Sequence, residues 1–125
     1  MKSLGRHLLV DYYGCSSTLL NDPVLLERYL KMAVSKSGAT IVSSTFRTFE
    51  PYGVSGIIII AESHFAIHTW PEYNFASIDF FTCGCGVDPQ RANNYIEEVL
   101  LPEESDIREI ARGDLSKMNF HKCAI

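Results

Sequence analysis

The period of the apolar positions changes along this chain, and each change marks an element. Leu8, Leu9 and Val10 form a continuous apolar run that Gly14 ends, so Arg6 to Tyr13 reads as a first strand. Leu26, Tyr29, Leu30 and Ala33 then recur at helical spacing. Asn21 or Asp22 can cap that helix, and Pro23 fits its first turn because a missing N–H costs nothing there. Gly38 is a natural stop.

The middle of the chain is strand-rich. Ala39 to Phe49 carries Ile41, Val42, Thr45 and Phe46, and Pro51, Tyr52 and Gly53 make a turn. Val54 to Ala61 holds four isoleucines in succession, the pattern of a strand buried on both faces. His64 to Trp70 alternates loosely, Pro71 to Asn74 turns, and Phe75 to Cys83 is a further strand. A second helix runs from about Asp88 to Leu101, with Asp88 as cap and Pro89 in the first turn. Ala92, Tyr95, Ile96, Val99 and Leu100 form its apolar face. Asp106 to Ala111 reads as a last strand, and 113–125 carries no usable pattern.

The order is strand, helix, four strands, helix, strand. Connections in the middle block are too short for parallel crossovers, so that block should be antiparallel. The predicted fold is α+β: a two-layer α/β sandwich, mainly antiparallel, with two helices on one face of the sheet. The other face then needs cover, which a second subunit would supply.

At 125 residues the chain is expected to be one domain, 1–125. Its 46% hydrophobic and 21% charged residues give a globular balance. A domain this small leaves little room for a deep private site, which again favours one shared between subunits. Eleven basic against fifteen acidic residues, net −4, argues against a nucleic-acid partner and suits a cationic small ligand. No stretch approaches 18 apolar residues, so no membrane span is predicted. Met1 to Val10 has no small-residue cleavage site, so no signal peptide is expected and the location predicted is cytoplasmic. Cys15, Cys83, Cys85 and Cys123 are then expected to be thiols.

The reactive residues crowd into 55–85: Ser55, Glu62, Ser63, His64, His68, Glu72, Asp79, Cys83 and Cys85 among apolar strands. Such a local inconsistency points to a site. A metal at His64, His68, Cys83 and Cys85 fits poorly. Four strand residues span about 13 Å, and two imidazoles on one zinc must each sit about 2.1 Å from it. C-x-C is also not the usual C-x-x-C chelate. Gly53-Val54-Ser55-Gly56 resembles half a nucleophile elbow, but its glycine comes one residue early and a strand follows. A third idea is backbone chemistry at Glu62-Ser63, between two strands. A strained turn can aim a serine hydroxyl at the preceding carbonyl for an N-to-O acyl shift, with Ser55 and His68 as proton carriers. On the residues alone, Ser63 as a plain turn residue stays open.

The combination Gly5-Arg6-His7, Ser37-Gly38-Ala39, Gly53-Val54-Ser55-Gly56, Glu62-Ser63-His64, Ile67-His68-Thr69-Trp70-Pro71-Glu72, Asp79 and Phe81-Thr82-Cys83-Gly84 resembles the bacterial and archaeal S-adenosylmethionine decarboxylase proenzyme family. The resemblance covers about residues 4 to 100. It implies self-cleavage between Glu62 and Ser63 into chains 1–62 and 63–125, with Ser63 becoming a covalently bound pyruvoyl group. His68 would be the proton donor or shuttle of that processing, assisted by Ser55. The pyruvoyl ketone would take up the substrate amine as a Schiff base and act as electron sink, with no metal. Cys83 would then protonate the decarboxylated product, a thiol of ordinary pKa about 8.5 being able to donate near neutrality.

The resemblance further implies that Phe49 stacks on the adenine, with the His68 ring opposite, and that Glu72 binds the ribose hydroxyls. The products would be CO2 and decarboxylated S-adenosylmethionine, the aminopropyl donor for spermidine and other polyamines, made by a homodimer with sites at or near the interface. Cys85 departs from the family's more usual acidic or polar residue; it is read as a bystander or as a second thiol able to form a mixed disulfide with Cys83, and is assigned no role. Cys15 reads as a buried small residue and Cys123 as a tail thiol. The rivals are a pyruvoyl decarboxylase for another amino acid and an uncleaved relative kept as a binding subunit.

Overall fold

The computed structural model describes residues 2–84 and 86–118, so the readings of Cys85 and Cys123 lie outside the described residues. The elements follow the order β1 (Ser3–Tyr13), α1 (Ser17–Leu20), α2 (Pro23–Ser37), β2 (Ile41–Thr48), β3 (Val54–Ile60), β4 (Ser63–Trp70), β5 (Phe75–Cys83), α3 (Pro89–Leu100) and β6 (Glu104–Asp114). The six strands form one antiparallel sheet in the order β2-β3-β4-β5-β1-β6. The α+β sandwich of the sequence reading is the fold observed.

The helix ends follow their local chemistry. Asp22 caps α2 by accepting the Leu25 N–H at 3.0 Å, and Pro23 opens it. Gly38 closes it with φ +89°, a left-handed conformation that costs glycine little. Asp88 and Pro89 repeat the same start in α3. The addition to the predicted order is α1, four residues capped by Ser16. One turn is too short to set a helical period.

One sheet face is dry. Leu8, Val10 and Tyr12 of β1, Ile58 of β3, Phe65 and Ile67 of β4, and Ile78 and Phe80 of β5 are buried against Leu26, Leu30 and Val34 of α2 and Ala92 and Ile96 of α3. The Tyr12 hydroxyl donates to Asn93, itself fully buried, and so ties β1 to α3.

Strand side chains alternate, so Ser55, Ile57, Ile59, His64, Ala66, His68, Asp79, Phe81, Cys83 and His7 share the opposite face. No helix covers it. The four isoleucines are therefore not all buried: Ile58 and Ile60 face the helices, while Ile57 and Ile59 are 40% and 48% exposed. A continuous apolar run does not reveal which of its two faces meets the core.

Candidate active site

The hairpin between β3 and β4 turns through Ala61 and Glu62 and re-enters the sheet at Ser63. Ser63 has φ +149°, a region essentially reserved for glycine, where a side-chain-bearing residue stores about 1–3 kcal/mol. The strain lies on the Glu62–Ser63 linkage. The Glu62 residue is clamped from two sides. Its carboxylate accepts the Thr40 N–H at 3.1 Å, and Ala61 N–H donates to the Thr40 carbonyl at 2.9 Å. Its own carbonyl oxygen accepts the Cys83 N–H at 3.1 Å and the Cys83 thiol at 3.0 Å. Two donors converging on one carbonyl oxygen polarise it and are placed to hold an oxyanion there.

A second group sits at the other end of β4. Ser55 and His68 face each other across β3 and β4, with Oγ and Nδ1 2.9 Å apart. Phe49 stands in the β2–β3 turn, 47% exposed, and its N–H donates to the Gly53 carbonyl at 2.9 Å. Glu72 is exposed in the short turn after β4. An apolar hollow of about 290 Å³ lies beside Ser55 and His68, and a larger cleft of about 780 Å³ is lined in part by Glu72, Tyr52 and Asn21. Neither is lined by Ser63 or Cys83.

The two groups do not meet within one chain. Ser63 and His68 lie on the same extended strand, and five residues of strand span about 16 Å. The structure brings Ser63, Glu62 and Cys83 together, and Ser55 and His68 together, and keeps the two sets apart.

A third cluster lies one row from Cys83. The Asp79 Oδ1 atom is 3.9 Å from Nε2 of both His7 and His64. Phe81 stacks on His7 with ring centroids 4.9 Å apart and lies across Gly5, where a Cβ would come within 2.6 Å of the ring. Arg112 donates to His7 Nδ1 at 2.9 Å. Arginine only donates, so His7 carries its proton on Nε2. Burial is the main cause that lowers the His7 pKa, Asp79 opposes it, and Arg112 and His64 add to the lowering. Although the three side chains approach within ligating range of one another, His7 cannot accept from Arg112 at Nδ1 and ligate through Nε2 as a neutral imidazole. The geometry does not favour a metal there.

A sequence model of the S-adenosylmethionine decarboxylase family matches residues 6–113. The chain belongs to this family. It is 46% identical to the S-adenosylmethionine decarboxylase proenzyme of Thermotoga maritima over a 130-residue alignment that covers all of both chains. It is 50% identical to that of Thermotoga petrophila over 113 residues, 90% of this chain and 87% of the relative. The crystal structure of the adenosylmethionine decarboxylase from Aquifex aeolicus VF5 superposes with a TM-score of 0.87 at 34% identity, covering 95% of this chain and 98% of that one. The AdoMetDC monomer of Trypanosoma brucei shares the fold, with a TM-score of 0.60 at 20% identity over 82% of this chain and 44% of the longer one. The chain is an adenosylmethionine decarboxylase.

In this decarboxylase, Thr40 and Arg112 escaped the sequence reading, and His7 entered it only within the Gly5-Arg6-His7 motif. Thr40 contributes only backbone groups, which no residue pattern reports. Arg112 and His7 meet through the β1–β6 pairing, where Gly5 is opposite Arg112, and those strands are remote in sequence. Cys15 is buried, as read, and burial pushes its thiol up to about 11, which keeps it unreactive.

Proposed function

We propose that the chain is a self-cleaving precursor whose Ser63 becomes a pyruvoyl group. The observation that carries the reading is the pair of Cys83 donors on the Glu62 carbonyl beside a strained Ser63. The Ser63 Oγ attacks the Glu62 carbonyl carbon, and the Cys83 N–H and thiol hold the oxyanion that forms. The C–N bond breaks, the amine leaves protonated, and Glu62 is joined to Ser63 through an ester. Loss of the Ser63 α-proton expels the Glu62 carboxylate. The dehydroalanine left on the second chain becomes an imine, and water releases ammonia. Chains 1–62 and 63–125 result.

His68, paired with Ser55, is the proton carrier of the acyl shift. Since His68 lies about 16 Å along the strand from its own Ser63, the partner copy's Ser55–His68 pair must serve it. We infer a homodimer whose bare sheet faces meet. This buries Ile57, Ile59 and the 47% exposed Ile110, and joins Ser63 and Cys83 of one protomer to Phe49, Ser55, His68 and Glu72 of the other.

The residues present fit a pyruvoyl group, because the Cys83 thiol contacts the Glu62–Ser63 linkage from which the group would form. The group supplies an electron sink for the bonding electrons freed as CO2 departs. Cys83 delivers the proton that completes decarboxylated S-adenosylmethionine, the aminopropyl donor for spermidine. Phe49 and the His68 ring flank the adenine, and Glu72 accepts from the ribose hydroxyls. Aromatic faces also favour the sulfonium cation. Exposed Cys83 as a working thiol suits a reducing cytoplasm.

Two measurements test this. The processed protein should release CO2 from S-adenosylmethionine and none from arginine or histidine; the reverse overturns the substrate. Equilibrium sedimentation should give a dimer, and a fully active monomer overturns the shared site.

A further inference from the structure

The start of β3 is held by side chains where a sheet would use backbone. The β3–β4 register begins at Ser55 opposite His68. Immediately before it, Val54 N–H donates to the Thr69 hydroxyl at 2.9 Å, and that hydroxyl donates onward to the Leu20 carbonyl at 2.7 Å. Gly53 N–H donates to Asn21 Oδ1 at 3.0 Å. Gly53 has φ +112°, and a Cβ there would stand 3.1 Å from the Thr69 carbonyl, so the chain crosses β4 closely at this point. Two consecutive N–H groups are thus anchored to α1 and its end.

This anchorage adjoins three residues of the half-site, Phe49, Ser55 and His68. Val54 precedes Ser55, Thr69 follows His68, and Gly53 closes the turn that carries Phe49. Thr69 is 6% exposed, so no solvent replaces its hydroxyl. Without it, Val54 N–H and the Leu20 carbonyl lose their partner together.

We infer that Thr69 and Asn21 are positioning residues: Thr69 sets the Ser55–His68 pair for the partner's Ser63, and Asn21 sets the Phe49 turn for the adenine. This rests on the shared-site reading above. Thr69→Val keeps the shape and removes the hydroxyl. Misplacement of the proton carrier by a fraction of an ångström to 1 Å should slow cleavage roughly 10- to 100-fold. Thr69→Ser should restore the rate. Asn21 is exposed, so Asn21→Ala folds, and it should raise KM for S-adenosylmethionine several-fold while kcat holds.

The deciding experiment uses mixed dimers of differently tagged full-length chains, with cleavage followed by intact mass. A Thr69→Val chain paired with a Ser63→Ala chain presents a good Ser63 to an intact half-site. It should cleave at the wild-type rate there and slowly in its own homodimer. A defect of that chain's own fold would not be cured by its partner. Slow cleavage that persists in the mixed dimer overturns the inference, as does wild-type cleavage in the Thr69→Val homodimer. An Asn21→Ala enzyme with unchanged KM overturns the part assigned to Asn21. The control pairs His68→Ala with Ser63→Ala. If that pair is not rescued, the shared site itself fails, and Thr69 is then judged by whether the Thr69→Val homodimer is slow and Thr69→Ser restores it.

Discussion

Cys83 touches the Glu62 carbonyl oxygen twice, through its N–H at 3.1 Å and its thiol at 3.0 Å. The β4–β5 pairing makes this possible: Ser63 is opposite Thr82, which brings the next residue of β5 level with the end of the hairpin. In the proposed mechanism one residue would therefore have two tasks, first on the precursor's carbonyl and then, through the same thiol, on the product. The tasks can be separated.

Cys83→Ala should cleave roughly tenfold or more slowly, because one of two oxyanion donors is gone and the N–H remains. Cys83→Ser restores a donor and should cleave faster than Cys83→Ala. Its hydroxyl is a far weaker acid than a thiol, so turnover should stay low or the product be misprotonated. Cleavage half-times and steady-state kinetics read the two effects. Unchanged turnover in either variant removes Cys83 as the acid.

His68→Ala should slow cleavage by about 10²–10⁴-fold, the usual range for a positioned proton carrier. Ser55→Ala should have a smaller effect in the same direction, since Ser55 orients the His68 ring through one 2.9 Å contact. Time courses of precursor disappearance decide this. Normal maturation of His68→Ala contradicts its role.

His7 makes native stability depend on pH. Its native pKa is lowered from 6.5, first by burial and then by Arg112 and His64, with Asp79 opposing. Below pH 6.5 the unfolded chain therefore binds a proton that the native chain resists. Stability is fully present above that pH and falls as the pH drops toward the native value. The urea midpoint of the uncleaved Ser63→Ala chain should fall between pH 7 and pH 5.5 at fixed protein concentration. His7→Gln should reduce the fall. An equal fall in both chains contradicts the assignment.

Tyr12→Phe tests the dry side of the sheet. It strips the fully buried Asn93 of its hydroxyl donor, which should cost about 1–3 kcal/mol of stability. Cleavage should keep its rate, because Tyr12 faces the helices and Ser63 chemistry occurs at the hairpin. Denaturant melts and cleavage time courses on one preparation check both halves of the statement.

Much of this was legible because it is local. Asp22-Pro23, Gly38 and Asp88-Pro89 punctuate the helices, and the strand runs between Pro and Gly turns fall where the sheet has them. The isoleucine run was ambiguous, since a strand apolar on both sides does not disclose which side meets the helices. The arithmetic that separates His64 from His68 on a strand also separates Ser63 from His68, so the divided site was implicit in the spacing. The third cluster was hidden. His7 reaches Asp79 and His64 because β1 inserts beside β5 at the far side of the sheet, a pairing set by tertiary topology.

The central claim is that Ser63 becomes a pyruvoyl group, and intact mass under denaturing, reducing conditions tests it most directly. Two chains meeting at Glu62/Ser63 are expected, the second lighter by one ammonia than its serine form, with a single uncleaved mass for Ser63→Ala. A wild-type chain that keeps its full-length mass after long incubation, or a second chain that still begins with serine, would contradict it.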